Sequence, residues 1–344
     1  MTPRTISSWF MAAMAAFALL LAACGGGGDD DDPSTPASGG DNGTVRDPML
    51  NVPQDQLNKF GVQPAGAEFT VGPNHFVFGI TNVEQTGPVG ATAARATFYD
   101  LSDQNHPKPV FAADATPSRP GVGPVTEHIH ADGSVHMHGG EDQRRAGFYV
   151  DVNFDHAGFW GLVVEATLLD GTKGVANIGF QVFDKPRIPA PGMDAPRSDN
   201  LTKADVADIH EIDSGDPPND MHDVKIKDAI AAHRPLVIVF STPAFCTSLF
   251  CGPVNQEVES LQEQYRDKVD FVHIEIWRNF ETKELNPTAR EWLLRKDGGL
   301  SEPFVYVVDK NGVIYDRWEG PVAKNIMEPA VKEVAEGKTW ADKS

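Results

Sequence analysis

The stretch PLVIVFSTPAFCTSLFCGPV, residues 235–254, places Cys246 and Cys251 directly after a short all-apolar run. The run itself, residues 235–240, is typical of a central strand that is buried on both faces of a sheet. After the cysteines, apolar residues recur at helical spacing, at Val254, Val258, Leu261 and Tyr265. The sequence therefore predicts a strand, a loop with two thiols, and a helix.

The spacing of the two cysteines limits how they can bond. In a regular α-helix, residues five apart have Cα atoms roughly 8.6 Å apart, beyond the separation of about 7 Å that a disulfide tolerates. A helix that begins at Pro253 leaves both thiols in the preceding loop, whereas a helix that begins near Cys246 must unwind before the bond closes. In both cases Cys246 lies at or before a helix N-terminus, which stabilises a thiolate.

Strand and helix patterns alternate through the rest of the C-terminal half, residues 201–340. The predicted elements are a strand at 269–277, a helix at 288–295, two strands within 304–320 joined through Asn311-Gly312, and a helix within 324–336. The predicted order is β-α-β-α-β-β-α.

Residues 192–337 resemble the thioredoxin-like superfamily. The resemblance rests on the cysteine pair after the first strand, on the strand and helix order, and on Pro303 in "SEPF". Pro303 matches the position of that superfamily's cis-proline, and "PGMDAP" resembles the lead-in of redoxin-type members. The usual C-x-x-C spacing of the superfamily is replaced here by C-x4-C.

The resemblance implies an α/β thioredoxin-like domain with thiol–disulfide exchange at the cysteine pair. Cys246 is then the nucleophile and Cys251 the resolving thiol, with Pro303 against the pair and no cofactor. Glu302 would raise the pKa of the thiolate and favour a reductant. Two alternatives stay open: a structural disulfide and half of a metal site.

Peroxide reduction is a further alternative, because "TPAFCTSLFC" is close to the active loop of atypical two-cysteine peroxiredoxins. Those enzymes place Thr or Ser three residues before the reactive cysteine, where this chain has Pro243, and Pro four residues earlier, where it has Val239. Thr242 is one position out of register. Arg317 could still donate to a peroxide oxygen.

The N-terminus indicates an extracytoplasmic protein. Residues 1–24 resemble a bacterial lipoprotein signal peptide, with one basic residue, an apolar run, and a lipobox that ends at Cys24. We expect Cys24 to carry the lipid, residues 25–47 to form a disordered tether, and the protein to face the periplasm from the outer membrane. Anchoring in the inner membrane or at the cell surface stays open.

The formal net charge of -20 argues against nucleic acid and anionic lipid as partners. With Cys24 committed to lipid, Cys246 and Cys251 are the remaining thiols of the chain, which has 3 cysteines. We expect protein thiols or disulfides as partners, and the membrane through the lipid anchor alone.

Residues 48–185 predict an antiparallel, Ig-like β-sandwich, because Val-, Phe- and Thr-rich runs alternate with Gly, Pro and Asp-Gly turns. A proline-rich linker, residues 186–200, should be a semi-stiff spacer between the two domains.

The segment TEHIHADGSVHMHGG carries His128, His130, His136 and His138 around a predicted hairpin turn at Asp132-Gly133. A three-residue loop pairs His128 with His136 and suits zinc or copper through four imidazoles. A two-residue turn instead groups two histidines with Met137, which suits copper, and a solvated polar loop is the remaining alternative. His75 and His273 are expected to be structural.

The function expected from these patterns is a lipid-anchored thiol–disulfide oxidoreductase, with a copper-site protein as a candidate partner. The alternatives are a copper or zinc carrier whose disulfide is structural, and an atypical two-cysteine peroxidase.

Overall fold

The computed structural model describes residue 57 and residues 59–343, except for 67, 122–125, 130–134, 139–146 and 247–249. For 126–129 and 135–138 only the backbone is described. The predicted signal peptide, the tether and Cys24 lie outside the described residues. The described residues belong to one compact unit, which is mostly β-sheet with few helices.

Strands make up the first half of the described chain. Their bounds are β1 (Gly61–Pro64), β2 (Phe69–Thr70), β3 (Gly72–Thr81), β4 (Ala91–Asp100), β5 (Lys108–Asp114), β6 (Thr116–Ser118), β7 (Thr126–Ile129), β8 (Val135–His138), β9 (Gly147–Phe154), β10 (Gly158–Leu168) and β11 (Lys173–Phe183).

Two sheets face each other in this half, in the strand orders β1-β3-β9-β6 and β2-β11-β10-β4-β5. Neighbours are antiparallel except for β11 and β2. Phe76 and Phe154 from the first sheet pack with Phe98 and Trp160 from the second in one buried cluster. The alternating apolar pattern of each strand therefore supplies one face of a shared aromatic core.

The second half has helices and strands. Their bounds are α1 (Ile226–Ala231), β12 (Leu236–Ser241), α2 (Cys251–Tyr265), β13 (Asp270–Glu275), β14 (Trp277–Asn279), β15 (Glu284–Leu285), α3 (Pro287–Leu293), β16 (Phe304–Val308), β17 (Ile314–Glu319) and α4 (Lys324–Ala335), with short 3-10 helices at Ile209–Glu211 and Trp340–Lys343.

Strand β12 is the central element of this half. The sheet order is β13-β12-β16-β17, with β12 parallel to β13 and antiparallel to β16. Val237 and Val239 belong to the core on one face of the sheet, while Ile238 and Phe240 belong to the core on the other. The all-apolar run predicted this double burial, and the structure confirms it. Among the described residues no helix has both the length and the apolar content needed to cross a bilayer.

The proline-rich segment 186–200 connects the two halves and packs against the second of them. Ile188 and Ala195 are buried, and the backbone N–H of Gly192 donates to the carbonyl of Ile314 at 2.9 Å. Ile314 N–H donates in turn to Met193 at 2.9 Å. Extended backbone around prolines suits such pairing, so the apolar residues between the prolines fix this segment against β17.

The two halves also contact each other directly. Ser118 Oγ donates to the carbonyl of Pro321 at 3.0 Å, and Gly121 N–H donates to Glu257 Oε1 on α2 at 3.0 Å. His75 on β3 contacts Asp316 on β17, with 2.7 Å between Nε2 and Oδ1.

Candidate functional site

Cys246 and Cys251 form a disulfide, and their Cα atoms are 5.9 Å apart. Helix α2 begins at Cys251, two residues before the start that Pro253 predicts. Cys246 therefore lies in the loop and Cys251 in the first helical turn. The structure therefore does not have the helix beginning near Cys246 that the sequence left open.

The two cysteine residues differ in exposure and in hydrogen bonding. Cys246 is half-buried, whereas Cys251 is 0% exposed. The backbone N–H of Cys251 donates to Cys246 Sγ at 3.3 Å. An N–H group at a helix N-terminus stabilises negative charge on the sulfur it faces, so this contact favours Cys246 as the thiolate.

A buried polar network lies beneath the loop. Thr242 Oγ1 donates to Glu275 Oε1, and Ser214 N–H donates to Glu275 Oε2 at 2.9 Å. Ser214 Oγ accepts from Ala244 N–H at 3.1 Å, two residues before Cys246. Burial raises the pKa of Glu275.

Pro303 lies at the same end of the central strands as the cysteine loop. The Glu302–Pro303 bond is cis, and Pro303 directly precedes Phe304, which pairs with Phe240. Because β12 and β16 are antiparallel, the end of β12 and the start of β16 are neighbours.

Aromatic side chains cover the loop beside Cys246, which sequence analysis did not anticipate. Phe245 stacks on Phe280, with 4.6 Å between the ring centroids. Lys283 Nζ lies 3.2 Å from the centroid of the Phe280 ring. Phe280 follows β14 and Lys283 precedes β15, so this small hairpin places a cation and a ring against Phe245, the residue before Cys246.

The groups that a peroxide site would need are engaged elsewhere. The Thr242 hydroxyl donates to Glu275. Arg317 donates to the carbonyl of Pro189 at 2.6 Å and to Glu68 Oε1 at 3.2 Å.

The histidine-rich segment is partly described. β7 and β8 pair antiparallel with His128 opposite His136 and Thr126 opposite His138. This is the register expected for a three-residue loop. His130 lies outside the described residues.

A second polar group lies deep in the C-terminal half. Asp213 Oδ2 is 3.0 Å from His222 Nε2 and 3.6 Å from His273 Nδ1, and the two imidazole nitrogens are 3.4 Å apart. All three residues are buried, at 0, 3 and 2% exposure. These three atoms could hold a metal ion.

Neighbouring groups orient these side chains. Ser241 Oγ donates to Asn255 Oδ1 at 2.7 Å, so it accepts from His273 Nε2, which is 2.9 Å away. The Nδ1 lone pair of His273 then faces Asp213 and His222. Burial opposes ionisation of Asp213, but hydrogen bonds, among them those from His222 and from the backbone N–H of Gly215, hold its pKa far below the usual range.

Sequence analysis treated His273 as structural and did not single out Asp213 or His222. The three residues have no motif spacing, since 9 and 51 residues separate His222 from its two partners. Only the fold of the loop before α1 onto β13 brings them together.

No family model and no curated protein matches this chain. Among solved structures, a thioredoxin-family thiol:disulfide interchange protein from Chlorobium tepidum is similar, at 15% identity and a TM-score of 0.27, over 44% of this chain and 99% of that one. CopC from Methylosinus trichosporium is similar at 14% identity and a TM-score of 0.22, over 37% of this chain and 96% of that one. A cohesin module from Clostridium perfringens is similar at 12% identity and a TM-score of 0.21, over 38% and 100%. At these scores the likenesses decide neither fold nor activity.

Proposed function

We propose that this chain is a thiol–disulfide oxidoreductase that acts through Cys246 and Cys251, in a C-terminal half with a thioredoxin-like fold beside an Ig-like sandwich. One observation carries the proposal: Cys246 is a half-buried residue whose sulfur accepts the N–H of Cys251 at the start of α2, while Cys251 itself is buried. A purely structural bond does not require the less buried cysteine to have a sulfur that is placed to carry negative charge.

The exchange has a fixed order on this geometry. In the reduced chain, the Cys246 thiolate attacks a partner disulfide, forms a mixed disulfide, and releases one partner thiolate, which takes up a proton. Cys251 then loses its proton and attacks Cys246 Sγ, which releases the second partner sulfur as a thiol. The partner gains two electrons and two protons, and the Cys246–Cys251 disulfide forms.

The partner class follows from this chemistry: a protein with a dithiol or a disulfide. We place the reaction outside the cytoplasm, where the predicted lipid on Cys24 would hold the protein at a membrane, with a copper-site protein as one candidate partner. Copper or zinc binding by the hairpin histidines, with a structural disulfide, is the alternative.

The proposal predicts different trapping by two single-cysteine variants. In a Cys24→Ser background, we expect Cys251→Ser to accumulate a mixed disulfide with a disulfide-bonded peptide, because Cys246 attacks and no resolving thiol follows. Cys246→Ser should accumulate at least about tenfold less, because its remaining sulfur is buried. Mass spectrometry of acid-quenched samples measures both adducts.

The double variant Cys246→Ser, Cys251→Ser in the same background is the control and should form no adduct. Equal trapping by the two single variants would contradict the assigned roles. The midpoint potential tests the activity itself: a value near or above about -270 mV supports a cycling pair, while one below about -300 mV means a structural disulfide and refutes the proposal.

A further inference from the structure

We infer that Asp213, His222 and His273 form a binding site for a tetrahedral divalent transition metal, with zinc as the expected ion. The site is separate from the cysteine pair and from the histidine-rich hairpin. It joins the irregular chain before α1 to strand β13.

The distances favour a tetrahedral ion. Ligands about 2.0–2.1 Å from a tetrahedral Zn²⁺ lie roughly 3.3–3.4 Å from one another. Neighbouring ligands of a six-coordinate ion with bonds of that length lie only about 2.9–3.0 Å apart. The observed separations of 3.0, 3.4 and 3.6 Å bracket the tetrahedral value.

The donor atoms are the right kind. Two imidazole nitrogens and one carboxylate oxygen suit a borderline ion such as zinc better than Ca²⁺ or Mg²⁺, which take oxygen ligands. The hydrogen bond from His273 Nε2 to Ser241 fixes the tautomer whose Nδ1 is free of a proton. Such a partner on the far ring nitrogen is typical of metal-bound histidine.

Burial gives the third argument. Asp213 carries its charge with 0% of its surface exposed, and among the described residues its carboxylate meets N–H donors from Gly215, Asn219 and His222 but no Lys or Arg. A metal ion would offset more of the lost hydration of this carboxylate than neutral N–H donors do. Asn219 Nδ2 donates to two of the ligand atoms, to Asp213 Oδ2 at 2.8 Å and to His273 Nδ1 at 2.9 Å, so this amide must turn aside when an ion binds them.

The consequence of binding is structural. The other two ligands, Asp213 and His273, lie 9 and 51 residues from His222. One ion therefore links residues that are distant in the chain. An ion that binds the folded chain alone raises its resistance to unfolding.

The test uses cobalt(II) and zinc on the full chain, in a background that removes the other candidate ligands, His128/His130/His136/His138→Ala. After treatment with a chelator, we expect this chain to bind one cobalt ion with the intense visible absorption of a tetrahedral complex. Zinc should bleach that absorption and raise the melting temperature. No binding, or the weak absorption of a six-coordinate complex, would overturn the inference.

Substitutions at one ligand position separate coordination from mere folding effects. His222→Gln should weaken cobalt binding at least about tenfold, while His210→Gln, at an exposed histidine of the same segment, should leave it unchanged. His222→Cys should keep the ion and add a sulfur-to-cobalt charge-transfer band in the near ultraviolet. Cobalt binding by His222→Cys without that band, or unchanged affinity in His222→Gln, would show that residue 222 is not a ligand.

Discussion

Glu68 is a single residue that holds three segments of the chain together. Its side chain is 0% exposed, and its carboxylate pairs with Arg187 at 3.1 Å and with Arg317 at 3.2 Å. The backbone N–H of Arg187 also donates to it, at 3.1 Å. A buried carboxylate of this kind is expensive to remove, because the cations that face it lose their partner.

We therefore expect Glu68→Ala to lower the free energy of unfolding by about 3–5 kcal/mol. Urea titration with the disulfide intact measures it. Glu84→Ala, at an exposed position, is the control and should change stability by less than about 0.5 kcal/mol. A loss for Glu68→Ala as small as that of the control would mean that the ion pairs contribute nothing net.

At the scale of elements, helix α2 meets the sandwich at Gly121. This glycine has φ +73°, and a Cβ built on it would lie 2.6 Å from Pro253 Cβ in the first turn of the helix. Two separate constraints therefore favour glycine at this position: the positive φ, and the lack of space for a Cβ.

Gly121→Ala should destabilise the chain more than Gly171→Ala does. Gly171 has a similar φ of +84° but nothing within 4 Å of its added Cβ, so it bears the backbone strain alone, about 1–2 kcal/mol. The excess for Gly121→Ala should be about 1–3 kcal/mol, the usual range for overpacking. Equal melting temperatures of the two variants would show that the contact between α2 and the sandwich adds nothing to the stability of the fold.

Local sequence patterns predicted the elements that have a distinctive run of residues or a typical turn pair. The run 235–240 gave a strand with two buried faces, and Asn311-Gly312 gave the turn between β16 and β17. The site was predicted only where two cysteines marked it. Asp213, His222 and His273 meet through tertiary folding, which no local pattern encodes.

At the scale of the whole molecule, a titratable contact joins the two halves. Burial alone would lower the pKa of His75, but hydrogen bonds to Asp151 and Asp316 raise it to about 9. Both carboxyl groups have lowered pKa values and stay ionised at neutral pH. Tyr149 and Trp318 also contact the imidazole ring, and Lys343 pairs with Asp316 at 2.9 Å.

This contact predicts a loss of stability as pH rises. The pKa of His75 is higher in the folded chain than in the unfolded chain, about 6.5. Its contribution is therefore full below pH 6.5 and disappears as pH rises through about 9. The shift corresponds to about 3 kcal/mol. Urea titrations from pH 6 to pH 9 measure it.

His75→Gln should lose most of that pH dependence, while His106→Gln, with a side chain 81% exposed, should retain it. If His75→Gln kept the slope of the original chain, the junction would not be the group that titrates.

The segment 186–200 has a consequence for how the chain can be divided. Gly192 and Met193 occupy hydrogen-bonding groups of Ile314 at the outer side of β17, which is the last strand of its sheet. An uncovered strand edge is a template on which a second chain can add its own strand. A fragment cut to begin at residue 201 would present that template to its own copies. We therefore expect the connecting segment to reduce self-association of the protein.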